Sequence, residues 1–196
     1  MRPPAGTLVE FPAPPPPGSR IPSRPPHGSK QPRDPLDVVR EAIGELDFLD
    51  NPQAAAAVCS AALALGLGAR GVIIHAHDAR ANEVRIVAAN GPSCDALVGK
   101  AALVEDDVIA STVIANAAPM TLVIDPIVGL LRHAPGRLKA IGATRAVVAM
   151  PALVKKRVVA IIEVVDAKES AATAVEPAAQ YAAIQLARFL VSRKAR

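Results

Sequence analysis

The sequence predicts an α+β domain built on one central antiparallel sheet of five or six strands, with helices on both faces. Two observations lead there. The Val- and Ile-rich segments come as adjacent pairs joined by short polar connections, 71–78 with 83–90 and 145–154 with 157–166, which is the pattern of antiparallel hairpins. Segments with helical spacing lie between the pairs and at both ends. A third observation removes the main competitor. No strand runs into GxGxxG or GxxxxGK[ST] at the start of a helix, so a doubly wound nucleotide-binding fold is not supported.

Taken in order, Asp34-Pro35 opens a first helix, with Asp at the cap and Pro in the first turn. Leu36, Val39, Ile43 and Leu46 form its apolar face. Asn51-Pro52 repeats the start signal for a second helix ending near Gly66, with Val58, Ala62 and Leu65 on one face. Its alanines allow close approach to a neighbour. The hairpin 71–78/83–90 follows and is ended by Asn90-Gly91-Pro92. A short strand is expected near 100–104. Glu105, Asp106 and Asp107 then suit the N-terminus of a helix. Asn116 to Pro119 stops that helix, and 120–124 reads as a short strand. Residues 126–140 read as a weak helix or two short ones, interrupted by Pro135-Gly136. The hairpin 145–154/157–166 turns at Lys155-Lys156, and VVAIIEVV in its second strand is bulky enough to be covered on both faces. A last helix spans about 175–191.

Composition divides the chain. Twelve of the 19 prolines lie between Pro3 and Pro35, so residues 1–34 are expected to be a disordered, Pro-rich basic arm and residues 35–196 the folded domain. The arm carries five basic residues against Glu10 and Asp34, while the whole chain is only +4, leaving the domain near neutral. With no Trp, one Tyr and three Phe, it lacks the clustered cations and stacking rings of a nucleic-acid binder. The PxxP spacing at Pro12 to Pro15 would suit a docking peptide, although a solubilising tether is the simpler reading. Two cysteines make no disulfide framework. Cys59 reads as core and Cys94 as a loop thiol. The start has no continuous apolar region like that of a secretory leader, and no run is long enough to span a bilayer. A cytoplasmic setting, without membrane association, is the expectation.

The ordered pieces DDVIASTVIANAAPMTLVID and RAVVAMPALVKKRVVAIIEVVD resemble those of a GAF domain, a small-molecule sensory and dimerisation module. The resemblance covers roughly 36–193. It includes Pro119 before a short strand ending at Asp125, and Pro151 in the first strand of the late hairpin. Ala160 departs from the glycine usual in the second. PAS and roadblock domains, which are profilin-like relatives, share much of the topology. The resemblance implies a GAF/profilin-like fold, a ligand pocket under the connecting helices, homodimerisation through terminal helices, and a non-enzymatic role in bacterial signalling through a partner protein. No output domain is expected after the GAF-like region. Thiol-dependent reduction, known in some GAF-like proteins, and a scaffolding domain with a degenerate pocket are the alternatives. Nothing matches the Asn-Lys-Phe-Asp-Glu set of cyclic-nucleotide-binding members, and neither cysteine stands where reductase or bilin-binding members need one.

His75 and His77 point to one face of a strand. Pairing them across a four-residue loop sets them against Val84 and Ile86, which offers no third metal ligand. No metal, other cofactor or catalytic group is therefore assigned. His75, His77, Thr112, Asp125 and His133 are the candidate pocket residues. On the last helix, Ala179, Ala183, Leu186 and Leu190 form one apolar stripe, and Tyr181, Ile184 and Val191 a second that is assigned to a dimer interface. Deleting residues 1–32 should leave the thermal midpoint of the domain unchanged, and a large drop in a side-by-side melt would show that the arm packs on the body.

Overall fold

The computed structural model describes residues 33–44, 46–124, 135–142 and 144–194. The arm, Asp125 and His133 therefore lie outside the described residues. Six strands form one antiparallel sheet among them: β1 (Gly71–Asp78), β2 (Glu83–Asn90), β3 (Ala101–Leu103), β4 (Met120–Val123), β5 (Ala146–Val154) and β6 (Arg157–Val165). Their order across the sheet is β3-β2-β1-β6-β5-β4, so the two hairpins meet through β1 and β6 at the centre.

The helices divide between the two faces. Helices α1 (Pro35–Ile43), α2 (Pro52–Leu67) and α5 (Val175–Lys194) cover one face, where Val39, Leu63, Ala179 and Leu186 meet Val72, Ile74, Ile162 and Val164. Helices α3 (Val108–Asn116) and α4 (Gly136–Ile141) cover the other, where Ile109, Val113, Leu138 and Ile141 meet Ile73, Val147, Ile161 and Val165. Alternation along β6 sends Ile162 and Val164 to the first core and Ile161 and Val165 to the second. The strand is covered on both sides, as its bulky sequence requires.

Local signals set the element ends. Asp34 Oδ1 accepts from the Leu36 amide at 2.9 Å, and Asn51 Oδ1 from the Ala54 amide at 2.7 Å, capping α1 and α2. The hairpin register matches expectation: Asp78 faces Glu83, His77 faces Val84 and His75 faces Ile86. Lys155 and Lys156 both take positive φ, at 49° and 65°, the twist that a two-residue hairpin turn needs.

Helix α2 ends at Leu67, next to the expected Gly66, and is capped by Gly68 in the left-handed conformation; one reading of it is corrected. Its buried face is Ala55, Ala56, Cys59, Ala62 and Leu63, whereas Leu65 is 74% exposed, because a helix this rich in alanine carries little periodic contrast. Cys94 stands in an irregular segment, as read, and is fully buried there in the second core.

Gly66 has a packing role instead. A Cβ there would stand 2.6 Å from Val39 Cγ2 and 2.9 Å from the Pro35 carbonyl oxygen, so α1 rests on a helix surface with no side chain. Gly66→Ala gains about 1 kcal/mol of helix propensity, while forcing a methyl into this contact costs about 1–3 kcal/mol. The expected result in chemical denaturation is a net loss of about 1 kcal/mol; a stabilised variant would contradict the close crossing.

Candidate functional site

The face under α3 and α4 holds a buried polar cluster inside an otherwise apolar core. Glu163 sits in the middle of β6, between Ile73 of β1 and Ala149 of β5, with no solvent exposure. The small side chain of Ala149 leaves room above it. Arg137 enters from the first turn of α4. Its Nε donates to Glu163 Oε2 at 2.7 Å and its Nη2 to Glu163 Oε1, a two-point contact. The same guanidinium reaches Asp107, Nη1 to Oδ2 and Nη2 to Oδ1, the latter at 3.1 Å. Asp107 is the cap of α3, and its Oδ1 also accepts from the Ile109 and Ala110 amides, each at 3.1 Å. One arginine therefore ties the central strand, the start of α3 and the start of α4 together.

The electrostatics follow from that geometry. Burial pushes the Glu163 carboxyl up, but the Arg137 guanidinium, with His75 beside it, more than reverses this and holds it far below the usual carboxylate range. Burial pulls Arg137 down, while Glu163 and Asp107 hold its guanidinium above its ordinary value.

His75 stands next to this cluster on β1, 2% exposed. Its Nε2 lies 3.4 Å from Glu163 Oε2, near enough to feel the charge but not aligned as a hydrogen bond, and neither ring nitrogen has a hydrogen-bond partner among the described residues. A buried polar group left in this state is uncommon and needs a reason. Beside it is a cavity of about 350 Å³, walled by Val84, Ile86 and Leu97, with Lys100 and Asp106 at its mouth and His75, Asp107 and Arg137 along its floor.

The sequence-predicted residues divide accordingly. His75 lines this cavity. His77 does not; its Nδ1 lies 2.8 Å from the Val158 carbonyl oxygen. Thr112 does not line it either, and its hydroxyl donates to the Val108 carbonyl within α3 at 2.7 Å. Asp125 and His133 lie outside the described residues. Three members of the cluster escaped the sequence reading. Asp107 was explained as a helix cap, which it is, without its second partner. Arg137 was hidden in a weak helical segment. Glu163 left a visible signal, a single acid inside VVAIIEVV, in a strand read as covered on both faces. Among the described residues no three His, Cys, Asp or Glu side chains gather as a metal would require, and no helix is long and apolar enough to cross a membrane.

The two thiols are remote from each other. Cys59 belongs to the core under α2 and Cys94 to the core on the opposite face of the sheet. Burial pushes Cys59 up to about 12. Burial, with the charge of Asp95, also raises Cys94. On α5, Ile184 and Val191 are 49% and 46% exposed. They line a groove of about 620 Å³ that also includes Met150, Leu153 and Val154. Tyr181 is half-buried against the helical core, with the Arg40 guanidinium 5.9 Å from its ring centre.

No protein-family model matches the sequence, and no curated protein matches it. Solved structures do. The GAF domain of a phosphoenolpyruvate-protein phosphotransferase from Coxiella burnetii superposes with a TM-score of 0.67 at 18% identity, covering 83% of this chain and 95% of its own. The corresponding domain from Acinetobacter gives 0.66 at 15%, covering 82% and 94%. The free methionine-R-sulfoxide reductase of Neisseria meningitidis, solved with its substrate, gives 0.61 at 16%, covering 84% and 96%. At these identities the likeness establishes the fold, which is that of a GAF domain.

Removing the cation from the cluster should be costly. Arg137→Met leaves two buried carboxylates without their partner, and a loss of about 3–5 kcal/mol is expected in denaturant titrations. Adding Glu163→Gln should recover part of it. The acid sensitivity has a defined sign. Glu163 titrates lower in the folded chain than in the unfolded chain, so its contribution is present above the ordinary glutamate range, about 4.3, and is lost as pH falls below it. The stability of Glu163→Gln should depend less on pH in that acid range than that of the wild type.

Proposed function

We propose that this GAF-type domain is a non-enzymatic regulatory module, binding a small molecule in the cavity beside His75 and acting as a homodimer in bacterial signalling. The observation that carries the reading is His75 itself: a buried side chain with no hydrogen-bond partner among the described residues, lining a cavity beside the paired Asp107, Arg137 and Glu163. A ligand that completes its hydrogen bonding removes an unfavourable feature of the empty protein, and the cavity lies within the size range of small-molecule sites, about 300–1,000 Å³. The GAF domains among the structural neighbours come in part from phosphotransferase proteins, which fits a regulatory role.

The reductase alternative is less well supported. A reducing thiol needs thiolate character and a resolving partner, whereas Cys59 and Cys94 are buried on opposite faces of the sheet, with both thiols pushed up. A scaffolding role with an unused pocket leaves His75 without a reason.

The dimer surface rests on Ile184 and Val191, whose exposure leaves unused roughly 1.5–3 kcal/mol per large side chain that burial would supply. A second copy of the chain is the occupant proposed for the adjoining groove, through a two-fold contact of terminal helices. Tyr181 would lie at its margin, already half-sheltered under Arg40.

Native mass spectrometry of the purified protein tests both parts together. A dimer carrying a small co-purified mass is expected, with the mass lost in His75→Leu and the dimer lost in a still-folded Ile184→Glu. A wild-type monomer at tens of micromolar, where a weak dimer should still associate, would remove the interface. A ligand retained by His75→Leu would move the binding site elsewhere.

A further inference from the structure

A second space lies on the opposite face of the sheet, at one end of the helical layer. It is a cleft of about 350 Å³ between the start of α2 and the last turns of α5. Ala56, Ile74, Ala160 and Leu186 form its buried part, while Asn51, Pro52 and Gln53 are exposed at its mouth. The sheet makes the room. On this face one row across β1, β6 and β5 is large, with Ile74 opposite Ile162 and Ile162 opposite Met150. The next row is Ala76, Ala160 and Ala152, again directly opposite one another. The surface of the sheet therefore steps down by one row, and Ala56 of α2 and Leu190 of α5 border the step without filling it.

The walls decide what could enter. Among the described residues that line the cleft none is ionisable, and the polar side chains, Asn51 and Gln53, stand at the mouth. A charged group carried inside would lose its water with no partner in its place, whereas an apolar body would gain burial against alkyl surface. The start of α2 offers no anion site either. Pro52 has no N–H, and the Ala54 and Ala55 amides already donate to the Asn51 side chain and carbonyl oxygen. Densely packed interiors hold few spaces of this size. We infer that the cleft binds a neutral apolar small molecule, a ring or short chain of the size of indole or hexanol, with any uncharged polar end beside Gln53 at the mouth. This is a second site, and it does not rest on the reading of the cavity beside His75.

Room and occupancy can be read separately. Ala76→Leu, from the sheet, and Ala56→Leu, from α2, each place a larger side chain in the cleft. Where the room exists, the added side chain fills it and the thermal midpoint is kept or raised. Where it does not, overpacking lowers the midpoint. In both variants the side chain takes the space that the ligand would use.

The test uses the full chain with ¹³C-labelled Leu and Ile methyl groups, the Leu186 and Leu190 signals being assigned by their loss in Leu186→Met and Leu190→Met. Indole, hexanol, hexanoate and hexylammonium are titrated in turn. Indole and hexanol should shift the Leu186 and Leu190 methyl signals to saturation, and the two charged probes should bind at least about tenfold more weakly. Ala76→Leu should melt no lower than the wild type and lose about tenfold or more in affinity for both neutral probes. His75→Leu should keep the wild-type response, and its loss in a folded protein would overturn the independence of the two sites. Equal binding of hexanoate or hexylammonium would overturn the neutral class. Shifts confined to the Ile184 or Ile86 methyl signals would move apolar binding to the α5 groove or to the His75 cavity and overturn this site. A lowered midpoint in both Ala76→Leu and Ala56→Leu would show that the room is not there. Unchanged binding by a folded Ala76→Leu, or no response of the wild type to any probe, would overturn the site outright.

Discussion

The arrangement around the cavity depends on one constraint: a carboxylate in the middle of a sheet, with no access to water, must be paired where it stands. Glu163 cannot reach solvent from the centre of β6, and an unpaired charge there would cost more than a domain of this size can spare. Arg137 answers it, and in doing so fixes where α4 begins. The guanidinium has donors left for Asp107, so the start of α3 is fixed as well. A requirement set by one strand residue thus positions both helices that roof the cavity. An all-apolar face could be as stable, but it would not hold the two helix starts to a common point.

The two faces of the sheet are built differently. Under α1, α2 and α5 the contacts are almost wholly apolar and rich in alanine, with Gly66 allowing α1 to approach the backbone of α2. Such packing depends on shape and close approach. Under α3 and α4 the core is smaller and interrupted by charge. The first face supplies cohesion, and the second can therefore enclose a space without giving up the fold.

Much of the fold could be read from the residues because its signals are local. Both hairpins follow from alternation and polar turns, and the pairing of His75 with Ile86 and His77 with Val84 follows from loop length alone. Caps at Asp34 and Asn51 were equally legible. The site was legible only through His75. Asp107, Arg137 and Glu163 are 26 to 30 residues apart along each arm of the network, and no periodicity links a cap, a short helix and a strand centre. The burial of Cys94 was not legible for the same reason: an irregular segment gives no pattern from which burial could be inferred, and the thiol is enclosed by the core under α3 and α4. Composition also obscured the buried face of α2, where alanine on every side left Leu65 looking like core.

The opposite placement of the two thiols has an experimental use. Alkylating reagents attack the exposed thiolate, and neither Cys59 nor Cys94 presents one in the folded chain. Modification of Cys59 must therefore wait for an opening of the helical layer, and modification of Cys94 for an opening of the layer around the cavity. The chain carries a native clock on each face of its sheet. Their two rates separate loosening of the roof from loosening of the scaffold without the introduction of any foreign probe.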